Sequence, residues 1–389
     1  MDSSETNYKN EKISSFEDLN LNDNLLRGIY GYGYEKPSEI QKLAIRPVID
    51  CKDVIAQAQS GTGKTATFSI GLLQRINPSE NTTQGIILSH TRELALQIRN
   101  VVSALSQFMN ITMTLTVGGT SIKDNITELN KNPHIVIGTP GRVLDMINKK
   151  ALNTRYLKLF VIDEADEMLS KIFLNQIYDI FRFLPQDIQV GLFSATMTNE
   201  FFSLTKRFMR NPVEILLKND ELTLEGIKQF YVNIGHNEYK YDCLTDLFDI
   251  VSISQTMIYC NSKKCVVDLV ERLRGDDFSV LMMHGEMTQE ERNEIMQQFR
   301  SGEGRIMVST DLLARGIDIQ QISIVLNYDV PNSIENYIHR IGRSGRYGRK
   351  GTAINFVTDI DSKKIEELEQ FYSTQIDELP SKAILANLV

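Results

Sequence analysis

Residues 58–65, AQSGTGKT, follow the apolar run DVIAQ and lead into ATFSIGLL, so a glycine-rich turn sits between a strand pattern and a helix pattern. Backbone N–H groups at such a helix start can cradle phosphates. Gly61 and Gly63 supply the turn, with Gln59, Ser60 and Thr62 as the rest of the loop. Lys64 is placed to reach the β/γ-phosphates, and Thr65 to bind Mg²⁺ through its hydroxyl. The usual pattern begins with glycine, whereas this chain has Ala58 there. Further on, LKLFVIDEAD puts Asp163 and Glu164 at the carboxyl end of a buried strand, where parallel sheets place their ligand site. Asp163 reads as holding Mg²⁺ through water, and Glu164 as orienting and deprotonating the attacking water. The two motifs together predict a nucleotide hydrolase. A third stretch, HRIGRSGRYGRKG, spaces Arg340, Arg343, Arg346 and Arg349 three apart after the amphipathic SIENYI. The formal net charge of −8 argues against non-specific coating of nucleic acid, so any such binding must come from local patches. The second half has no GKT, and a domain without its own phosphate loop can instead aim arginines at a transferring phosphoryl group.

These residues need a scaffold. At 389 residues, 42% hydrophobic and 24% charged, the chain predicts two globular domains. From residue 53 to about 217, short apolar runs (DVIAQA, GIILSH, TMTLTVGG, HIVIGT, LKLFVID, QVGLFSA) alternate with amphipathic segments, as in a parallel sheet covered on both faces. The rhythm restarts at IKQFYVNI and runs through TMIYCN, SVLMMH, RIMVST and SIVLNYDV to TAINFV. The predicted plan is a flexible N-terminus (1–13), a first α/β domain (14–216), a linker LKNDELTLEG (217–226) and a second α/β domain (227–389). Cys51, Cys243, Cys260 and Cys265 show no paired C-x-x-C spacing, which fits a reducing compartment; Cys260 and Cys265 alone make a weak metal case. No apolar run approaches the ~20 residues of a membrane span. The opening MDSSETNYKNEKISS lacks the apolar segment of a secretory signal, so an intracellular protein without membrane contact is expected.

With these motifs in order, the sequence closely resembles the DEAD-box RNA helicases, within them the group of translation initiation factor 4A and its exon-junction paralogue. The resemblance covers residues 14–389 and rests on GYEKPSEIQ (33–41), AQSGTGKT (58–65), TREL (91–94), GG (118–119), TPGR (139–142), DEAD (163–166), SAT (194–196), STDLLARGID (309–318) and HRIGRSGR (339–346). It implies two RecA-like parallel-sheet domains in tandem, joined by a short linker. Tyr34 would stack on adenine while Gln41 reads its edge, and Asp318 would contact the ribose. Phe16 is similar to an aromatic that supports this pocket, although it reads nearly as well as a core residue. Arg343 and Arg346 become the arginine fingers, with Arg340 as support and Arg349 with Lys350 as basic surface. Asp166 and His339 would link the ATP site to Ser194 and Thr196, which couple hydrolysis to RNA.

RNA contacts carry over to Thr91, Arg92, Gly118, Gly119, Thr139, Gly141 and Arg142 on the first domain, and to Arg300, Thr310 and Arg315 on the second. Read alone, TPGR is as good a strand-to-helix turn as an RNA site. The chain departs from the family pattern at His90, where relatives carry proline, and at Ile172, where they carry glycine. The resemblance implies an ATP- and Mg²⁺-dependent RNA helicase with a monomeric core, opening duplexes locally and non-processively, in translation initiation in the cytoplasm. Protein partners such as an initiation-factor scaffold or mRNP components would supply the RNA address. The same motifs also serve an ATP-dependent RNA clamp of a nuclear complex, and a DNA helicase or translocase shares the paired domains.

Overall fold

Among the described residues, strands of two to nine residues, most of them apolar and followed by an amphipathic segment, build two seven-stranded sheets in which the strand pairings are parallel. The computed structural model describes residues 13–380 except 60, 171, 198, 218–226, 251–254, 312–321, 343 and 345–350. The chain divides into two compact units, Met1–Leu217 and Lys218–Val389. Of the expected linker only Leu217 is described, and of the expected flexible N-terminus only Ile13.

In the first unit the strands are β1 (Val54–Gln57), β2 (Gly85–Leu88), β3 (Met113–Thr116), β4 (Ile135–Gly138), β5 (Leu159–Asp163), β6 (Gln189–Ser194) and β7 (Val213–Leu216). They lie in the order β3-β4-β2-β5-β6-β1-β7. Alternate residues of one strand feed opposite cores: Leu159 and Val161 pack on one face, Phe160 and Ile162 on the other. This two-sided burial is why LFVID reads as an unbroken apolar run. β3, at the sheet edge, alternates buried and half-buried positions instead.

The second unit contains β8 (Ile227–Gly235), β9 (Thr256–Tyr259), β10 (Val280–Met283), β11 (Ile306–Ser309), β12 (Ile324–Asn327), β13 (Gly351–Thr358) and β14 (Asp377–Glu378). Their order, β10-β11-β9-β12-β13-β8-β14, repeats that of the first unit strand for strand. Again one strand serves two cores, with Met257 and Tyr259 on one face and Ile258 on the other. β7 and β14 were absent from the sequence pattern: β14 is two exposed polar residues, and β7 is a four-residue edge strand beside β1. Among the described residues no helix is long and apolar enough to cross a membrane.

Candidate active site

The strand order sorts the motifs. β5, β6 and β1 are neighbours, so the DEAD stretch, SAT and the glycine-rich turn leave adjacent carboxyl ends of the sheet. β3, β4 and β2 form the other half, so GG, TPGR and TREL also emerge side by side. Crevices at carboxyl ends are where open parallel sheets bind ligands.

After β1 the chain turns at Gly61 and Gly63, whose φ angles of +86° and +103° lie in the left-handed region. Gly63 precedes the helix Lys64–Arg75, and a Cβ on it would also fall 2.5 Å from Gln41 Nε2, so glycine is required twice over. The Lys64 ammonium is buried and donates to Ala58 O at 2.6 Å and Gln59 O at 3.1 Å. Thr62 Oγ1 donates to Gln59 O at 2.7 Å, folding the loop back on itself, and Thr65 is half-buried in the first helical turn. Gln41 Oε1 accepts the Ser38 N–H at 2.8 Å, closing a capping box on the helix Glu39–Ile49, while its Nε2 points at Gly63 O, 3.5 Å away. One glutamine thus ties the Tyr34 segment to the phosphate loop. The Tyr34 ring lies 5.0 Å from Tyr32 and 6.5 Å from buried Phe16, which meets Tyr30 edge-on at 6.2 Å. Phe16 is therefore both a core residue and a backing for Tyr34.

Asp163 ends β5, and Glu164 follows in the left-handed region at φ +49°, a conformation that costs a non-glycine residue of order 1 kcal/mol or more. The Glu164 N–H donates to Asp163 Oδ1 at 3.0 Å. Both carboxylates are buried. Burial first, and then the Glu164 charge, push the Asp163 carboxyl well above its ordinary range, while Lys64 pulls it down. Two buried acids facing one buried ammonium form a donor set suited to a divalent cation and a polyphosphate, whose charges compensate both signs. Asp166 accepts the Thr196 Oγ1 hydrogen bond at 2.6 Å, and Ser194 Oγ donates to Thr196 O at 2.8 Å. DEAD and SAT are thereby joined directly. Replacing Thr196 by valine removes that donor and should lower duplex opening more than ATP turnover; equal losses in both assays would contradict a coupling role.

On the other half of the sheet, Thr91 caps the helix Arg92–Leu105, its Oγ1 accepting from Leu94 N at 3.3 Å. The Arg92 guanidinium lies over Gly118 and Gly119, so close that a Cβ on Gly119 would be 2.2 Å from its Nη1. Gly118 N donates to Thr139 Oγ1 at 3.4 Å, and Thr139 with Pro140 opens the helix Pro140–Asn148. Arg142 is held by Thr120 O at 2.9 Å, by Thr120 Oγ1 at 3.2 Å and by Asn125 Oδ1. Gly141 stands near Gln176, whose Oε1 a Cβ would meet at 3.4 Å. Two helix N-termini and two arginines thus share one face, an arrangement suited to backbone phosphates. Sequence reasoning missed Thr120 and Asn125, because nothing in their spacing marks them as holders of Arg142. Gly119→Ala combines a φ of +77° with that clash. It should displace Arg92 and weaken RNA binding about 10-fold or more, the scale of one hydrogen bond to a charged group. ATP binding without RNA should be unchanged, as fluorescence titration of each ligand would show.

In the second unit the equivalent places are filled differently. The register of β12 on β9 matches that of β5 on β2 and sets Asp329 where Glu164 falls. Lys240 opens the helix after β8 as Lys64 does after β1. Lys240 Nζ binds Asp329 Oδ1 directly at 2.8 Å and is 4% exposed, so an internal ion pair occupies the place that Lys64 and Glu164 hold in the first unit. Thr310 follows β11 as Thr139 follows β4, and Arg300 is exposed at the end of the helix Gln289–Ser301. His339 and Arg340 are both buried on the helix Ile334–Ile341, capped by Ser333. Arg340 Nε meets Asp311 Oδ1 at 2.5 Å; its other nitrogens donate to Asn327 Oδ1, Asp329 O and Asn261 Oδ1. Ser60, Arg315, Asp318, Arg343, Arg346, Arg349 and Lys350 lie outside the described residues. His90 sits in the turn after β2, and Ile172 is 71% exposed.

Residues 38–203 match the DEAD/DEAH box helicase family, and residues 239–348 match the helicase conserved C-terminal domain. Eukaryotic initiation factor 4A of Caenorhabditis elegans is 54% identical over 385 residues, covering 99% of this chain and 95% of that protein. The chain belongs to the DEAD-box RNA helicases. Another relative, the ATP-dependent RNA helicase eIF4A of Chaetomium globosum, is 57% identical over 376 residues, 97% of this chain and 94% of its own length. Among solved structures, S. cerevisiae Dbp5 bound to RNA and ADP BeF3 superposes with a TM-score of 0.89 at 37% identity, covering 94% of this chain and 95% of that one. The DEAD-box motifs of this chain's first unit accordingly sit on a sheet whose twin in the second unit has the same strand order and carries the Lys240–Asp329 pair in the equivalent place.

Proposed function

We propose that this chain is an ATP-dependent RNA helicase that couples ATP and RNA binding to local, non-processive opening of short duplexes, acting in translation initiation in the cytoplasm. The observation that carries this reading is the Thr196–Asp166 hydrogen bond, which ties the acids beside the phosphate loop to the strand next to them. The names of the relatives at 54% and 57% identity support it.

In this reading Gln59, Ser60, Gly61, Thr62, Gly63 and Lys64 hold the phosphates of ATP, Tyr34 and Gln41 hold its base, and Asp318 its ribose. Thr65 and Asp163 would hold Mg²⁺, in part through water. When bound, that ion supplies positive charge against the phosphate oxygens. Glu164 takes the proton of the attacking water. Arg343 and Arg346 stabilise charge on the transferring phosphoryl group. Asp166, Ser194, Thr196 and His339 transmit the state of the nucleotide to the RNA.

RNA is held by its phosphates and 2′-hydroxyls, through Thr91, Arg92, Gly118, Gly119, Thr139, Gly141 and Arg142 and, from the second unit, Arg300, Thr310 and Arg315. Such contacts carry no sequence information, so protein partners choose the RNA and the core acts as a monomer.

ATP and RNA then favour the same closed state, and each must tighten the other by one common factor. ATP affinity measured with and without saturating RNA tests this. A gain of about 5- to 150-fold, the usual size of such coupling, is expected. Equal affinities would overturn the reading.

A further inference from the structure

The second unit holds two thiols that the proposed function leaves unused. Cys260 directly follows β9 and is fully buried, while Cys265 is partly exposed in the first turn of the helix Lys263–Gly275. Their sulfurs and a carboxylate oxygen of Asp329 all lie within 4.8 Å of one another. Three such atoms first suggest a metal. The surroundings argue otherwise, because Asp329 already accepts the Lys240 ammonium at 2.8 Å and the Asn261 N–H at 3.0 Å. The Arg340 guanidinium also acts on the Cys260 sulfur. Two fixed cations repel a divalent ion.

We propose that Cys260 and Cys265 form an oxidisable pair, closed to a disulfide by a peroxide, and that this bond slows ATP turnover through Asn261. Cys265 is the entry point, being the exposed partner. Its thiolate attacks hydrogen peroxide and displaces hydroxide, giving a sulfenic acid; the displaced hydroxide takes up the thiol proton as water. The Cys260 sulfur then attacks Cys265 and expels a second water. Two thiols and one peroxide thus become one disulfide and two waters, with two electrons passing from sulfur to oxygen. The Cys265 thiol and burial hold the Cys260 thiol well above its ordinary range, which makes the second step the slow one.

Asn261 lies between the two cysteines and is a junction. Its Nδ2 donates to Val330 O at 2.8 Å, and its Oδ1 accepts from Arg340 Nη2 at 2.7 Å. Drawing the sulfurs to the ~2.05 Å of a disulfide closes a ring through Asn261 and pulls it away from Arg340, on the helix that carries His339. The link to ATP turnover rests on the function proposed above.

The test uses the full chain, reduced and then exposed to hydrogen peroxide, with peptide mapping by mass and RNA-stimulated ATP hydrolysis read in parallel. The expected result is a Cys260–Cys265 linkage and a rate lowered about 10- to 100-fold, as for a small displacement of catalytic groups. Dithiothreitol should restore the rate, and Cys265→Ser and Cys265→Val should keep the basal rate and lose the sensitivity. The proposal is overturned by oxidation confined to Cys51 or Cys243, by a linkage that leaves the rate unchanged, or by variants that remain as sensitive to peroxide as the parent chain. Zinc co-purifying with the chain and shielding both thiols from alkylation would overturn it too. If the reduced chain shows no RNA-stimulated ATPase, the functional reading fails and takes the rate effect with it, while the mapping still decides the thiol chemistry.

Discussion

Replacing Glu164 by glutamine is expected to lower RNA-stimulated ATP turnover by about 10²- to 10⁴-fold, the contribution typical of a general base. The side chain is buried beside Asp163, and its backbone is held at φ +49°, so the position is built to aim one carboxylate. Glutamine has the same shape and keeps the N–H bond to Asp163 Oδ1, so the fold and the phosphate loop should be unchanged. ATP and RNA should therefore still bind while kcat collapses. Single-turnover hydrolysis measured beside equilibrium titrations separates the two. A kcat within about tenfold of the parent chain would mean that another group activates the water.

Replacing Arg340 by methionine should destabilise the second unit by about 3–5 kcal/mol, the cost of leaving two or three buried polar groups without their donor. The guanidinium is fully buried and is shared among Asp311, Asn327, Asn261 and the Asp329 carbonyl, so its removal leaves several polar groups without a donor. Lysine cannot rescue it, because a point charge cannot reproduce a planar fork of donors. Urea unfolding of the Arg340→Met and Arg340→Lys chains measures the cost. A loss below about 1 kcal/mol, as at an exposed pair, would show that the network is ornamental.

The same arginine shows where reading the sequence stops. Within HRIGRSGR its spacing identifies it as one of a basic series, and the helix that carries it is foreshadowed by SIENYI and capped by Ser333. That it is buried depends on partners from β12, from the turns after β9 and β11, and from the stretch after Asn327, which only the sheet brings together. β5 was legible because two-sided burial leaves an unbroken apolar run ending in two acids. The glycine-rich turn was legible because left-handed φ angles and close packing admit little else. β14 carries no such signal, being two exposed residues paired at a sheet edge. The Lys240–Asp329 pair was equally hidden, since its partners are 89 residues apart and their equivalence to Lys64 and Glu164 emerges from strand register rather than motif.

The most direct test of the central claim is steady-state ATP hydrolysis by the full chain with no nucleic acid, with single-stranded RNA and with single-stranded DNA of matched sequence, beside the Glu164→Gln chain. The account predicts stimulation by RNA alone, lost in the Glu164→Gln chain. Equal rates in all three conditions would contradict it, because the phosphate loop and the Arg92 face would then be uncoupled.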